Sequence, residues 1–245
     1  MILCIGIGNT NIRCAVGNSN SYTQAVEFMK EIPSGSEFIR FIEANFGAEI
    51  WGKLQGCSIS SVVPAKNKMI VDALSKYNLP IQYVDITKGN IDFSKYKSRL
   101  GEDRIVCCQA AVAKHGTQTI VVDLGTATTI NIVNKDSIFE GGVILTGLET
   151  GLKALTKNTA QLPLVDNLKN VKLIGTDTTE GLVSGAIMGT VCMIEGFINR
   201  IKHETNSDYT VILTGGNANK IMQYSNFKFI HEPSLLLEGL FMACE

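Results

Sequence analysis

Two short loops in this 245-residue chain carry the residue types that hold phosphate. Gly8-Asn9-Thr10 and Gly125-Thr126-Ala127-Thr128 each follow an apolar run and precede an alternating one. A tight turn between strands presents consecutive backbone N–H groups, and glycine lets them approach a phosphate closely. Threonine hydroxyls add donors to the same oxygens. One such turn alone reads equally as an ordinary hairpin. Two copies at equivalent places point to a nucleotide that takes a phosphate loop from each half of the chain. Neither copy is a G-x-x-x-x-G-K-[ST] loop, so the P-loop class is excluded.

Asp123 ends the apolar run before the second loop, where a carboxylate can hold a cation beside phosphates. Aspartate also caps turns without any ligand, and the two roles are compatible. Gly6, the matching residue before the first loop, offers no carboxylate. Gly215-Gly216 lets backbone pack against a base or ribose, although a simple tight turn accounts for it almost as well. Gly101-Glu102-Asp103-Arg104 opens a helix. Glu102 and Asp103 complement a helix dipole without any further function. Arg104 at the positive end of the helix does not fit that account. A guanidinium beside a carboxylate suits a polar, anionic substrate, with Asp103 accepting a hydroxyl proton.

Gly181, Gly185 and Gly189 line one helix face, so another backbone can approach closely. Thr178, Glu180 and Glu195 argue against a membrane span there. A contact within the core or between two copies remains. His115, His203 and His231 lack ligands at zinc spacing.

These residues are positioned by elements that repeat. Residues 5–16 lie over residues 122–133, which puts Gly6 over Asp123 at an offset of 117 residues. The first half continues with a helix over 36–45, a strand over 55–60, a helix opened by Pro64 and a strand over 81–84. Residues 85–100 lack a period and read as a loop; a helix over 102–114 stops before Gly116. The second half has strands over 119–123, 129–133, 138–142 and 211–214. Its helices cover 148–157, 178–203 and 235–242. Strands and helices alternate, so the class is α/β, in two lobes of residues 1–116 and 117–245.

The hydrophobic fraction of 45% is enough for sizeable cores, and a net charge of −1 gives no attraction to nucleic acid. No uninterrupted apolar run approaches the ~20 residues of a bilayer span, so no membrane partner is expected. The N-terminus reads as a strand, not a signal peptide. Seven cysteines without a C-x-x-C pair fit a reducing compartment, the cytoplasm.

Taken together, these motifs resemble the type III pantothenate kinases, of the acetate-and-sugar-kinase, heat-shock-chaperone and actin superfamily. The similarity runs nearly end to end, through Gly8-Asn9-Thr10-Asn11, Gly101–Arg104, Val122–Thr129, Gly141-Gly142, Thr159–Pro163, Gly175–Thr178, Thr214–Gly216 and Leu237–Leu240. It implies two related lobes of actin-like (ribonuclease H-like) architecture with an ATP cleft between them. It implies transfer of the ATP γ-phosphoryl group to pantothenate, the first step of coenzyme A synthesis, with Mg2+ or another divalent cation. By motif, Gly6, Ile7, Gly8, Asn9, Thr10, Asn11, Ile12, Arg13 and Thr126 would contact ATP. Asp103 would be the catalytic base. Tyr96, Gly101, Glu102, Asp103, Arg104 and Thr178 would line the pantothenate site. Asp123 would hold a monovalent cation, potassium or ammonium, and the enzyme would be a homodimer with its acceptor site at the subunit interface.

Two residues depart from the family pattern. Its first motif begins with Asp where this chain has Gly6, and Thr146 stands where Pro is usual. Gly6 leaves room for a second reading, a weak or inactive nucleotide-binding or regulatory relative. A kinase for a sugar or short acid is a third, disfavoured by Gly101–Arg104. Gly6→Asp is expected to add a charged ligand at little steric cost if Gly6 has ordinary strand dihedrals.

Overall fold

The computed structural model describes residues 1–244, residues 28 and 29 by their backbone alone. It divides into two compact units, Met1–Lys114 with Ser234–Glu245, and His115–Pro233.

The first unit starts with β1 (Ile2–Ile7), β2 (Asn11–Asn18) and β3 (Ser21–Phe28), followed by α1 (Gly35–Phe46) and β4 (Gly56–Ser61). Then come α2 (Pro64–Leu74), β5 (Ile81–Tyr83) and α3 (Glu102–His115). The sheet order is β3-β2-β1-β4-β5, with β1 antiparallel to β2 and parallel to β4. Strand alternation turns Leu3, Ile5, Ile12, Cys14 and Ile59 to one face, where they meet Phe38 and Ile42 of α1 and Ile70 and Leu74 of α2. Ser34 caps α1 by accepting from the Glu37 amide, and Pro64 starts α2. Residues 85–100 form no regular helix or strand ladder, as their lack of period predicts.

The second unit repeats the plan. It contains β6 (Thr119–Leu124), β7 (Ala127–Val133), β8 (Phe139–Thr146), α4 (Leu148–Asn158), α5 (Thr178–Thr205), β9 (Thr210–Thr214), α6 (Ala218–Ile221) and β10 (Ile230–His231). Its order, β10-β9-β6-β7-β8, is the first sheet's order with β6 in the place of β1 and β9 in the place of β4. The similarity of a dozen residues is therefore the visible part of a repeat of the whole topology.

Register corrects the repeat in one respect. Ile7 faces Ile12 across the first hairpin, whereas Leu124 faces Thr128 across the second. The offset of 117 holds for the first strand of each pair and falls to 116 in the second, because the second loop is one residue shorter. Ala127 and Thr128 belong to β7. The structural counterparts are Gly6 and Asp123, Arg13 and Thr129, and Ser60 and Thr214.

α5 is a single unbroken helix, capped by Asp177 and ended by Asn206 in the left-handed conformation. By length and mean hydropathy it would suit a membrane span. Its Ile187, Val191, Ile194 and Ile198 instead pack with Ile120, Val122, Ile130 and Leu213 of the second sheet. The last helix, α7 (Leu235–Met242), lies in the first unit. Its Leu237, Leu240 and Phe241 join Cys4, Ala15 and Val106 on the other face of the first sheet. A second lobe of residues 117–245 thus overcounts. A helix apolar nearly all round has to be buried, and in this fold the first sheet buries it.

Candidate functional site

Gly8, Asn9 and Thr10 join β1 to β2. The Gly8 amide donates to the Asn11 carbonyl at 2.9 Å, and a Cβ on Gly8 would sit 3.0 Å from that oxygen. Glycine therefore lets the turn close. Ile7 and Ile12 are buried while Asn9 and Thr10 are exposed, so alternation anchors the loop by its ends and leaves its middle outside. The Asn11 carboxamide oxygen is buried without a hydrogen bond among the described residues.

Gly6 is buried within β1 and is not among the glycines of positive φ. Its dihedrals would accept a side chain, as expected. Its surroundings are close: a Cβ there would lie 2.6 Å from Leu236 Cδ2 of α7. Gly6→Asp therefore needs the terminal methyl of Leu236 to shift, a small adjustment of one partly buried side chain.

The second loop is held by its carbonyls. Thr126 O accepts from the Gly147 amide at 3.2 Å and from the Thr150 hydroxyl at 2.7 Å. The Leu124 and Gly125 carbonyls accept from Asn217. A Cβ on Gly147 would lie 2.3 Å from Thr126 O, so this approach requires glycine. Asp123 stands opposite Thr129 on β7 and Thr214 on β9. Residues opposite one another share a sheet face, which groups a carboxylate with two hydroxyls. Asn131 Nδ2 donates to Thr129 Oγ1 at 3.0 Å, steadying that hydroxyl. Gly215, at φ +92°, passes so close that a Cβ would lie 2.3 Å from Asp123 Oδ1. Gly215 therefore seats the carboxylate. α6 beyond it is one turn long.

At the start of α3, Asp103 Oδ1 accepts from the Arg104 amide at 2.8 Å. Burial pushes the Asp103 carboxyl above its ordinary value, against the lowering effect of the Arg104 amide and guanidinium. Arg104 is 7% exposed. Its Nη1 donates to the Tyr96 hydroxyl at 3.2 Å, and its Cζ lies 5.4 Å from the Tyr96 ring centroid. That hydrogen bond holds the Tyr96 hydroxyl below its usual value. Glu102 Oε2 accepts from the Ser61 amide at 2.9 Å, tying the head of α3 to the end of β4.

Tyr96, Gly101, Glu102, Asp103 and Arg104 therefore come together in the first unit. Thr178, Thr126 and Asp123 lie in the second unit, Thr178 exposed as the first residue of α5. The sequence analysis gives no site role to Leu236, Ser61, Thr129 or Thr214, although the family motifs include the two threonines. The polar Ser58–Ser61 strand end was a usable signal for Ser61; the other three depend on register and packing. Gly181, Gly185 and Gly189 are exposed, and a Cβ on any of them would meet nothing within 4 Å. Among the described residues nothing lies within 4 Å of a Cβ on that face.

A family model described as type III pantothenate kinase matches residues 2–200. A type III pantothenate kinase from Persephonella marina is 36% identical, over 98% of this chain and 97% of its own length. Another from Bacillus cytotoxicus is 31% identical over 100% and 96%. Among solved structures, a Campylobacter jejuni protein assigned to the Baf family of transcriptional activators superposes with a TM-score of 0.65 at 21% identity, over 98% of this chain and 96% of its own. Component A of the (R)-2-hydroxyglutaryl-CoA dehydratase of Acidaminococcus fermentans does so with 0.55 at 12%, over 99% and 95%. At these identities the structures speak to fold alone, and that fold is the actin-like one of ATPases and sugar kinases.

Proposed function

The chain belongs to the type III pantothenate kinase family, which phosphorylates pantothenate in coenzyme A biosynthesis, and on that premise we propose how its residues divide the work. Residues 6–13 and Thr126 contact ATP. Asp103 accepts the proton of the pantothenate hydroxyl as it attacks the γ-phosphorus. Tyr96, Gly101, Glu102, Arg104 and Thr178 line the acceptor site.

The observation that carries this reading is the Asp103–Arg104–Tyr96 group. Burial makes the Asp103 carboxylate a stronger base than a surface aspartate. Arg104, anchored by Tyr96, offers a fixed cation to a polar, anionic substrate. Glu102, bonded to the Ser61 amide, holds the helix start in place.

A divalent cation bound with ATP offsets charge on the phosphates. Among the described residues no three carboxylate, histidine or cysteine groups cluster as metal ligands, so the side chains do not cage such an ion. Asp123 with its threonine neighbours is a set of hard oxygen donors that suits a monovalent cation, potassium or ammonium.

A coupled assay with ATP, magnesium, potassium and pantothenate should show turnover in the usual enzymatic range of about 1–10³ s⁻¹. No phosphorylated product with all four present would sink the assignment.

The enzyme works in the cytoplasm as a homodimer, in which the exposed glycine face of α5 meets a second copy. Light scattering at micromolar concentration should report twice 26.6 kDa. A Cβ at Gly185 has open space within 4 Å, so Gly185→Leu should give a folded monomer. A monomeric parent would refute the dimer.

A further inference from the structure

We propose that in the first unit Arg13 itself supplies the positive charge that meets the ATP phosphates, with no divalent cation held there by the protein. This rests on the reading of residues 6–13 as ATP contacts.

Three observations carry it. The first is the comparison of counterparts. Where the second unit sets Asp123 between Thr129 and Thr214, the first sets Gly6 between Arg13 and Ser60. One set offers oxygens to a cation. The other offers a cation itself, and a metal ion placed beside a guanidinium would be repelled.

The second is packing. Leu236 Cδ2 lies 2.6 Å from where a Gly6 Cβ would stand, so the group beside Gly6 is an apolar methyl and not a metal ligand.

The third is the state of Arg13. It is half-buried on β2, and its side chain has no hydrogen bond or ion pair among the described residues. Glu27, on the neighbouring strand, faces Ile12, so alternation turns it to the opposite side of the sheet. Across β3, Arg13 faces Val26. A partly desolvated guanidinium without an acidic partner is costly unless an anion completes it. Its fork matches two phosphate oxygens at once.

Calorimetry with ATP in EDTA, and again with magnesium, tests this. The parent should bind metal-free ATP within about tenfold of its affinity for the magnesium complex. Arg13→Met should lose about 10–100-fold of the metal-free affinity, the usual worth of a charged hydrogen-bond partner, while the ligand-free protein melts no lower than the parent. Arg13→Lys should keep part of it. If Arg13→Met does not fold, the double variant G6D with L236A serves instead. It sets a carboxylate against Arg13 and should cause the same loss. A parent that binds ATP only with magnesium, or an Arg13→Met protein with parental metal-free affinity, overturns the proposal. The kinase reading fails separately, if ATP binds either way yet pantothenate is never phosphorylated.

Discussion

Asp103→Asn is expected to lower turnover about 10²–10⁴-fold, the usual share of general-base catalysis, while ATP still binds. The asparagine oxygen can still accept the Arg104 amide that now bonds Asp103 Oδ1, so local geometry should persist and only the base is lost. Two pH effects follow from burial, which raises the Asp103 pKa. The acid limb of kcat/KM in the parent should lie above the ordinary aspartate range, because the group must lose its proton to act. That limb should vanish in the variant. For stability the sign is opposite to that of a paired surface carboxylate. A raised folded pKa means that the charged form is disfavoured by folding. The penalty is absent below the unfolded pKa, grows as pH rises through the folded one, and is full above it. Asp103→Asn should therefore melt no lower than the parent at neutral pH. A variant with near-parental turnover and an intact acid limb would reduce Asp103 to a helix-dipole residue.

Gly215→Ala is expected to be among the most damaging small substitutions in the second unit. At φ +92° a side chain strains the backbone by about 1–2 kcal/mol. In addition the new Cβ would lie 2.3 Å from Asp123 Oδ1 and 2.5 Å from the Leu124 amide nitrogen. The total should be about 2–4 kcal/mol, in the range reached by strain combined with overpacking. Gly116→Ala is the matched control. Gly116 has φ +83° and nothing within 4 Å of a Cβ, so it isolates the backbone term. Denaturation should show the larger loss at Gly215. The same push on Asp123 should raise the potassium concentration needed for half-maximal activity. Equal losses at the two glycines, with potassium dependence unchanged, would show that Gly215 does not seat the carboxylate.

Much of the fold could be read along the chain because it rests on local periods. Pro64 starts α2, apolar alternation marks β1 and β6, and glycines mark both loops. Besides the two-residue β10 over Ile230–His231, one strand escaped, β3 over Ser21–Phe28. Its signal was the turn before it, where Asn18 Oδ1 accepts from the amides of Asn20 and Ser21.

The amino-acid order by itself determined which residues could do chemistry: two glycine–threonine loops, Asp123, the Gly101–Arg104 helix start, and the repeat that relates the halves. Each is a short-range pattern, set by residue type and spacing. The tertiary structure alone decided what surrounds them. It set the one-residue register difference that pairs Arg13 with Gly6 and Thr129 with Asp123. It brought Tyr96 from an aperiodic loop onto Arg104. It also returned α7 to the first sheet, so that Leu236 fills the space beside Gly6. These pairings join residues distant in sequence or separated by irregular loops. They follow from how layers close over one another to bury apolar faces, which local spacing does not encode.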